Sequence, residues 1–524
     1  MTPSNKQNIP ANRQNFLDRA IGFFSPVQQA RRLKARIAVE MLNAYAGASK
    51  VKRSLKKWLT LTQDADADIL VDLPTLRDRS RDLVRNNPLA AGAIKTKLTH
   101  VVGTGLRLQA RIDRTILNLT EDQADVWEAQ VQREWKLFFD FKDCDLTRTL
   151  TGTGLTRMIY QQAKENGDSF ILLPRKKRPG NAYALKLQVI EADRVCNKDD
   201  VADTAKLAGG IKKDEDGAPV EYHILKNHPG GLENFKDKKW HKRKAYGEKT
   251  GLPNVIHLFN PTRPGQSRGV PDLAPVIELF KQLGRYTEAE IMAAVISAMF
   301  TIFIESEAGP GGAGSGFNYS NADGETEQKV SDKDYKMGNG LILELNRGEK
   351  VHDSDPGRPN ANFDSFILAI MRQIGTGLEI PYEILIKHFT RSYSAARASL
   401  LEFWKYVITE RMWLSDNFLK PVYEVFLWEA VAEGRIAAPG FFADPGIRAA
   451  YLGANFVGPT KGQIDELKEV KAAKERIEAK LTTLEQETTE LTGGDWEQNH
   501  VQQVKERKKQ IKDKLIESND KKDD

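Results

Sequence analysis

One unbroken helical pattern, beginning at Pro271 and reaching about Met299, limits this chain more than any other feature. Proline presets φ for a helix start, and Leu273, Ile277, Phe280, Ile291 and Val295 mark an apolar side. Ala289, Ala293, Ala294 and Ala298 would let a neighbouring helix approach closely, while Glu278, Lys281, Arg285 and Glu288 are expected to face solvent. At about 1.5 Å per residue such a helix spans ~40 Å. It is expected to run into a strand at Phe300–Ile304, then a flexible glycine loop at Ala308–Gly316 and a second strand at Leu341–Leu345.

The flanking regions mix helix and strand. Asp72 and Pro74 open a helix that Asn86-Asn87-Pro88 breaks, and a second helix ends at Gly103-Thr104-Gly105, before a strand at Leu106–Ala110. A further helix is expected over Glu121–Phe139, with Trp127 and Trp135 on one face. From about 150 to 260 the pattern reads as strands, at Phe170–Leu173, Leu185–Ile190, Glu221–Leu225 and Asn254–Phe259. Asp214–Gly217 is a turn between strands, and Gly231–Gly251 an exposed polar excursion. Helices return at Phe363–Gln373 and from Tyr393 to about Lys420, where Pro421 should end or kink the second. Two polar helices, Glu466–Glu490 and Asp495–Ile516, precede a disordered end from Ser518. The fold class is α+β.

A chain of 524 residues has room for two to four domains. The longest apolar stretch, Ile291–Ile304, is too short to cross a bilayer, and no signal peptide is legible at the N-terminus. Two cysteines, Cys144 and Cys196, exclude a disulfide scaffold or a cysteine-rich zinc site. Twelve Lys or Arg against two acids lie between residues 1 and 60, so most of the net charge of +6 sits there. Such a basic arm suits phosphate or an acidic surface but does not name its partner. Over residues 461–524, fourteen bases and sixteen acids alternate, which reads as a solvated helical tail and not a nucleic-acid patch.

Signatures of catalysis are missing. The 309–316 glycine stretch lacks the Lys-Ser/Thr of a phosphate loop, since Phe317-Asn318-Tyr319 follow. Gly-Thr-Gly-Leu at 103, 152 and 375 recurs at irregular spacing, as three permissive turns. His223 and His228 are unsuited to chelation, and the nearest approach to a nucleophile elbow has glycine where serine is needed. No catalytic, cofactor-binding or metal residue is expected.

One segment is more specific: His257-Leu-Phe-Asn-Pro-Thr-Arg-Pro-Gly-Gln-Ser-Arg-Gly-Val-Pro271, running into the long helix. Within it Arg263, Pro264, Gly265, Gln266, Arg268, Gly269 and Pro271 carry the pattern. It resembles the portal (head–tail connector) proteins of tailed bacteriophages, of the lambda type. Other blocks follow in the same order: Arg81–Pro88, Val102–Leu106, Glu165–Asp168, Gly377–Tyr382, Tyr393–Arg397 and Ile464–Glu469. The last departs from the family's usual Asp-Pro-x-Lys-Glu, reading Asp465-Glu466-Leu467-Lys468-Glu469.

The resemblance implies a non-enzymatic, cofactor-free subunit of a ring, usually of twelve, at a single capsid vertex of the virion, assembled in the host cytoplasm. A separate terminase would drive double-stranded DNA through it, without sequence specificity and without a membrane. Its partners would be itself, the terminase large subunit, a head-completion or adaptor protein, and major capsid and scaffolding proteins. It also implies a division into an N-terminal arm (1–74), wing (75–265), first stem helix (266–299), clip (300–350), second stem helix (351–374), channel loop with long helix and remaining wing (375–459), and crown (460–524). Glu278, Lys281, Arg285 and Glu288 would then lie on the stem surface. Lys387, His388 and Arg391 would meet DNA, the first and last sharing a face if that stretch is helical. Tyr393 and Arg397 would begin the long helix, Arg397 holding a carboxylate. The alternative is a capsid-associated DNA-binding scaffold without a channel.

Overall fold

The computed structural model describes residues 21, 23–41, 46–48, 52–55, 57–231, 238–298, 302–306, 349–353, 362–389, 393–463, 465–513 and 515. The chain divides into two units, Met1–Asp64 and Ala65–Asp524. In the first, helix α1 (Pro26–Met41) carries Arg31, Arg32, Lys34 and Arg36 of the basic arm. The boundary falls before the expected residue 74 because Ala65 and Leu73 are already buried in the second unit.

That second unit opens with helices α2 (Ala65–Ile69), α3 (Leu73–Asn86) and α4 (Pro88–Val101). Asp72 precedes α3 but makes no side-chain cap; Asn87 does cap α4, accepting from the amides of Leu89 and Ala90. Strand β1 (Arg107–Ala110) pairs antiparallel with β11 (Ala454–Val457), so two segments far apart in the chain close on each other. After the short α5 (Arg114–Leu117), helix α6 (Glu121–Phe139) begins in a capping box made by Thr120 and Gln123. Trp127 and Trp135 on its inner face are both buried, and Trp135 stacks on Phe139 at 4.6 Å and meets Phe426 edge-on at 5.2 Å.

Helix α7 (Gly152–Asn166) occupies a region whose composition suggested strands. Its apolar residues Leu155, Ile159, Tyr160 and Ala163 do recur at helical spacing, but Gly152 and Gly154 at its start read as a turn. Gly152 is required there by packing: the Phe139 ring occupies the space a Cβ would need. Gly167, at φ 89°, ends the helix and feeds β2 (Asp168–Leu172), the middle strand of a sheet with β3 (Gln188–Ile190) and β8 (Val255–Phe259). A second sheet holds β4 (Leu207–Ala208), β5 (Ile211–Lys213), β6 (Pro219–Leu225) and β7 (Trp240–Lys244) in sequence order. Asp214–Gly217 makes the turn between β5 and β6, as its composition suggested. Strand β7 lies inside the expected polar excursion; it is an edge strand with most of its side chains in solvent, which removes the alternation that would have marked it.

The long helix, α8 (Ile277–Ala298), starts later than Pro271, after a 3₁₀ turn at Ala274–Val276. Strand β9 (Ile302–Ser306) pairs with β10 (Glu349–Asp353) in the same chain. The glycine loop and the Leu341–Leu345 strand lie outside the described residues. Helix α9 (Phe363–Gly377) packs back along α8, where Tyr286 stacks on Phe363 at 5.6 Å and meets Phe366 edge-on at 4.9 Å. The short α10 (Tyr382–Ile386) leads to α11 (Tyr393–Leu414).

Pro421 does not end that helix. A π turn at Ser415–Leu419 widens the backbone just before it, with the Lys420 amide donating to the Ser415 carbonyl, and α12 (Lys420–Ala432) continues. In a regular helix the proline ring would press on the carbonyl four residues back, and the wider turn relieves that contact. Helix α13 (Pro445–Tyr451) precedes β11. The tail is three helices where two were expected: α14 (Glu466–Glu478), α15 (Leu484–Thr492) and α16 (Trp496–Lys512), capped by Asp465, Thr483 and Asp495. Thr483 is a good N-cap inside a run rich in Lys, Glu and Leu, so the break follows capping and not composition.

Candidate functional site

The segment from Arg263 to Asp272 is where the long helix is anchored. Arg268 is buried, and all five of its N–H groups have acceptors. Its Nε donates to Asp168 Oδ2 at 2.6 Å, and Nη2 to Asp168 Oδ1 at 3.2 Å and the Ala192 carbonyl at 2.8 Å. Nη1 donates to the carbonyls of Val195 and Gly209, both at 2.7 Å, and the guanidinium lies over the Phe170 ring. Asp168, fully buried at the start of β2, also accepts from Arg77 of α3 at 3.0 Å and from the Gly269 amide at 3.3 Å. Burial alone would raise this carboxyl, but the guanidinia of Arg268 and Arg77 outweigh it and hold it well below the usual range. Burial pushes Arg77 down to about 10 and also lowers His257, whose Nε2 is 3.5 Å from the same carboxylate.

The glycines of the segment have separate reasons. A Cβ on Gly269 would overlap the Gly167 carbonyl, and one on Gly167 the Gly269 carbonyl, so the two backbones touch where α7 ends. Gly265, at φ 78°, makes the exposed turn beside Pro264. Gln266 accepts from the Thr262 and Arg263 amides and donates to the Arg268 carbonyl at 2.7 Å. Arg263 pairs with Asp68, and Asp66 accepts from the Ser267 amide and hydroxyl.

A second cluster binds the foot of the stem to α11. Asp272 pairs with Lys97 of α4 at 2.8 Å and lies 3.7 Å from Lys164 of α7. Lys164 pairs with Glu410 of α11 at 2.7 Å, and Glu410 accepts from the Tyr160 hydroxyl at 2.9 Å. Burial opposes the charge on Asp272, but Lys97 and Lys164 prevail and its pKa is lowered; Asp272 and Glu410 likewise keep Lys164 raised against its burial. Pro271, Leu273, Val276, Phe280 and Leu283 are buried around this foot. Farther along α8 the burial ends: Ile291, Met292 and Val295 are about half exposed, at 58%, 55% and 44%. Glu278, Lys281, Arg285 and Glu288 all face solvent, as the helical pattern required.

The stretch expected to meet DNA has a different geometry from the one considered. Helix α10 ends at Lys387, which sits in the left-handed region at φ 55° as its C-cap. The helix therefore stops before a face could be shared with Arg391, which lies outside the described residues. Lys387, His388 and Phe389 are exposed. Tyr393 begins α11, and Arg397 one turn later places Nη2 4.0 Å from Glu469 of α14.

Among the described residues no group of His, Cys, Asp and Glu could hold a metal ion, and no helix is long and apolar enough to cross a membrane. The buried ions that organise the region were not assigned roles from the sequence. The paired ions come from segments far apart in the chain, so no spacing joins Arg77 to Asp168, Lys97 to Asp272 or Lys164 to Glu410. The one available signal is a charge on the apolar side of a helix, as at Lys164, one turn after Tyr160 and next to Ala163.

Comparison with known proteins points the same way as the 257–271 segment. Portal protein B of Escherichia phage lambda is 26% identical over 484 residues, covering 89% of this chain and 90% of that protein. The portal protein of Escherichia phage N15 is 27% identical with the same coverage, and the probable portal protein of Halomonas phage phiHAP-1 is 24% identical over 385 residues, covering 69% and 70%. Among solved structures, the virion of a native gene transfer agent particle and the neck of that particle computed with C12 symmetry align at 14% identity. Each covers 72% of this chain and 93% of the other, with TM-scores of 0.39 and 0.38. The sequence model of the lambda family of phage portal proteins matches residues 51–411, from the basic arm through both ionic clusters to α11, and on that match the chain belongs to the family.

Proposed function

We propose that this chain is the repeating subunit of a portal ring, through which double-stranded DNA enters and leaves a phage capsid. The observation that carries this reading is the family match over 51–411, which takes in the anchored root of α8 and the helix that returns along it. Helix α8 leaves its ionic foot and exposes apolar residues on its outer half, as an element with a partner outside the chain would. A closed ring needs two different complementary faces on each subunit. The ring is most consistent with twelve copies, residing at one vertex of the virion after assembly in the host cytoplasm.

In this reading residues 300–350 form the clip that docks the terminase large subunit and later an adaptor, and the helices after 460 form the crown, near capsid and scaffolding proteins. The subunit has no catalytic role. The stem presents Glu278, Lys281, Arg285 and Glu288 as a mixed, weakly charged surface over which DNA can slide, because a continuous basic wall would hold it. Asp272 belongs to the buried foot and takes no part in that surface. Lys387, His388 and Arg391 provide weak phosphate contacts at the channel loop, each repeated around the ring, with Phe389 beside them as an apolar projection.

Mass measurement of the purified complex tests the reading. A stable monomer or dimer under assembly conditions would overturn it; a ring of twelve or thirteen copies supports it.

A further inference from the structure

Helix α16 differs from every other charged helix of the tail. From Gln498 to Asp513 all its residues are exposed. In that span five bases (Lys505, Arg507, Lys508, Lys509, Lys512) face two acids (Glu506, Asp513). Lys505, Lys508, Lys509 and Lys512 follow i, i+3, i+4, i+7 and so lie on one face, with Glu506 and Asp513 together along its Lys509 edge, where Glu506 accepts from Gln502 at 2.7 Å. The near-equal mixture of charges across the whole tail hides this, because α15 carries three acids and no base and residues 517–524 add four acids against two bases.

Among the described residues the lysines also differ in their pairing from two bases of α14. In α14, Lys468 pairs with Asp465 at 2.8 Å and Arg476 pairs with Glu487 at 2.7 Å. Among the described residues no carboxylate lies within ion-pair distance of Lys505, Lys508, Lys509 or Lys512. The helix dipole favours bases in the last turn, which suits Lys509 and Lys512 but not the two lysines before them.

We propose that this lysine face binds the phosphate backbone of double-stranded DNA. The choice of DNA over other polyanions rests on the portal reading above. Seven residues of helix place the four ammonium groups along about 10 Å, within reach of several phosphates. Lysine suits this role, because a flexible point charge holds phosphate without fixing register. An acidic protein helix fits less well. Such a partner would have to cover Val501, Val504 and Ile511, and Lys508 lies within that stripe, one turn from both Val504 and Ile511, so a dry contact would bury its ammonium.

The test uses the full-length assembled protein and a labelled 30-bp duplex, with affinity measured as a function of salt. The variant K505Q/K508Q/K509Q/K512Q should bind at least ~10-fold more weakly at low salt, and the slope of log K against log salt should fall by about 2 to 4, since each lost phosphate contact removes ~0.9. E506Q/D513N should leave the slope unchanged or steepen it, and circular dichroism should show the same helix content in both variants. An unchanged slope in the quadruple variant overturns the inference, as does loss of binding to a capsid protein without loss of DNA binding. Either result in particles that still form rings leaves the portal reading standing; failure to form rings in the unsubstituted protein would refute that reading instead.

Discussion

The foot of the long helix and the last helix of the tail use charge in opposite ways. Around Asp168 the charges are closed inside the chain: all five N–H groups of Arg268 have acceptors, and the carboxylate also takes Arg77. On α16 four lysines share a face and meet no carboxylate among the described residues. Buried charge without partners is very costly, so the foot has to be closed, and its ions serve architecture. Exposed charge costs little by itself, so the face of α16 can stay open. The same contrast separates Lys164, fixed between Glu410 and Asp272, from Lys387, which projects from a helix end.

The largest effect should come from breaking the closed set. Asp168→Asn leaves Arg268 and Arg77 without their common carboxylate and should lower unfolding free energy by about 3–5 kcal/mol, read as a fall in denaturant midpoint. On the open face, any single Lys→Gln substitution in α16 should stay within ~0.5 kcal/mol. Equal losses at the two places would erase the distinction. Gly269→Ala comes next, at about 1–3 kcal/mol, because the new methyl must displace the Gly167 backbone where α7 passes into β2.

A smaller effect follows pH. Burial lowers the His257 pKa, so the folded protein keeps it neutral while the unfolded chain takes up a proton below about pH 6.5. Stability present above that pH should decline as pH falls through it, and His257→Phe, which keeps the stacking on Phe170, should flatten that decline. Asp168, held well below the usual range, should add no slope until the pH approaches about 4, where the unfolded carboxyl begins to bind protons. Urea midpoints across pH 4–8 would separate the two. The smallest change in stability should be that of Lys387→Ala with Arg391→Ala. Ring assembly should persist while DNA protected per particle falls; normal retention would leave closure by Phe389 or Tyr393 as the better account of that loop.

Much of the scaffold is legible in local chemistry. The Thr120–Gln123 capping box, Asn87 ahead of Pro88, the Asp214–Gly217 turn and the apolar periodicity of α6 and α8 are short-range signals, and each appears where the residues place it. Elements fail to show when a long-range contact sets the choice. Position 152, at a helix start, has to be glycine because a phenylalanine ring fills its side-chain space, and Pro421 sits in a continuous helix because a π turn precedes it. Of the site, the 263–271 pattern stands out in the sequence, but the partners of Arg268 come from residues 168, 192, 195 and 209.

The sequence by itself determined the family, the α+β class, the long helix and the absence of recognisable catalytic motifs, since these rest on periodicity, turn residues and ordered blocks along the chain. Tertiary structure alone decided which charges are neutralised. Pairing depends on distance in space: Asp272 meets Lys97 across 175 residues, whereas the four lysines of α16, crowded into eight positions, meet no carboxylate among the described residues.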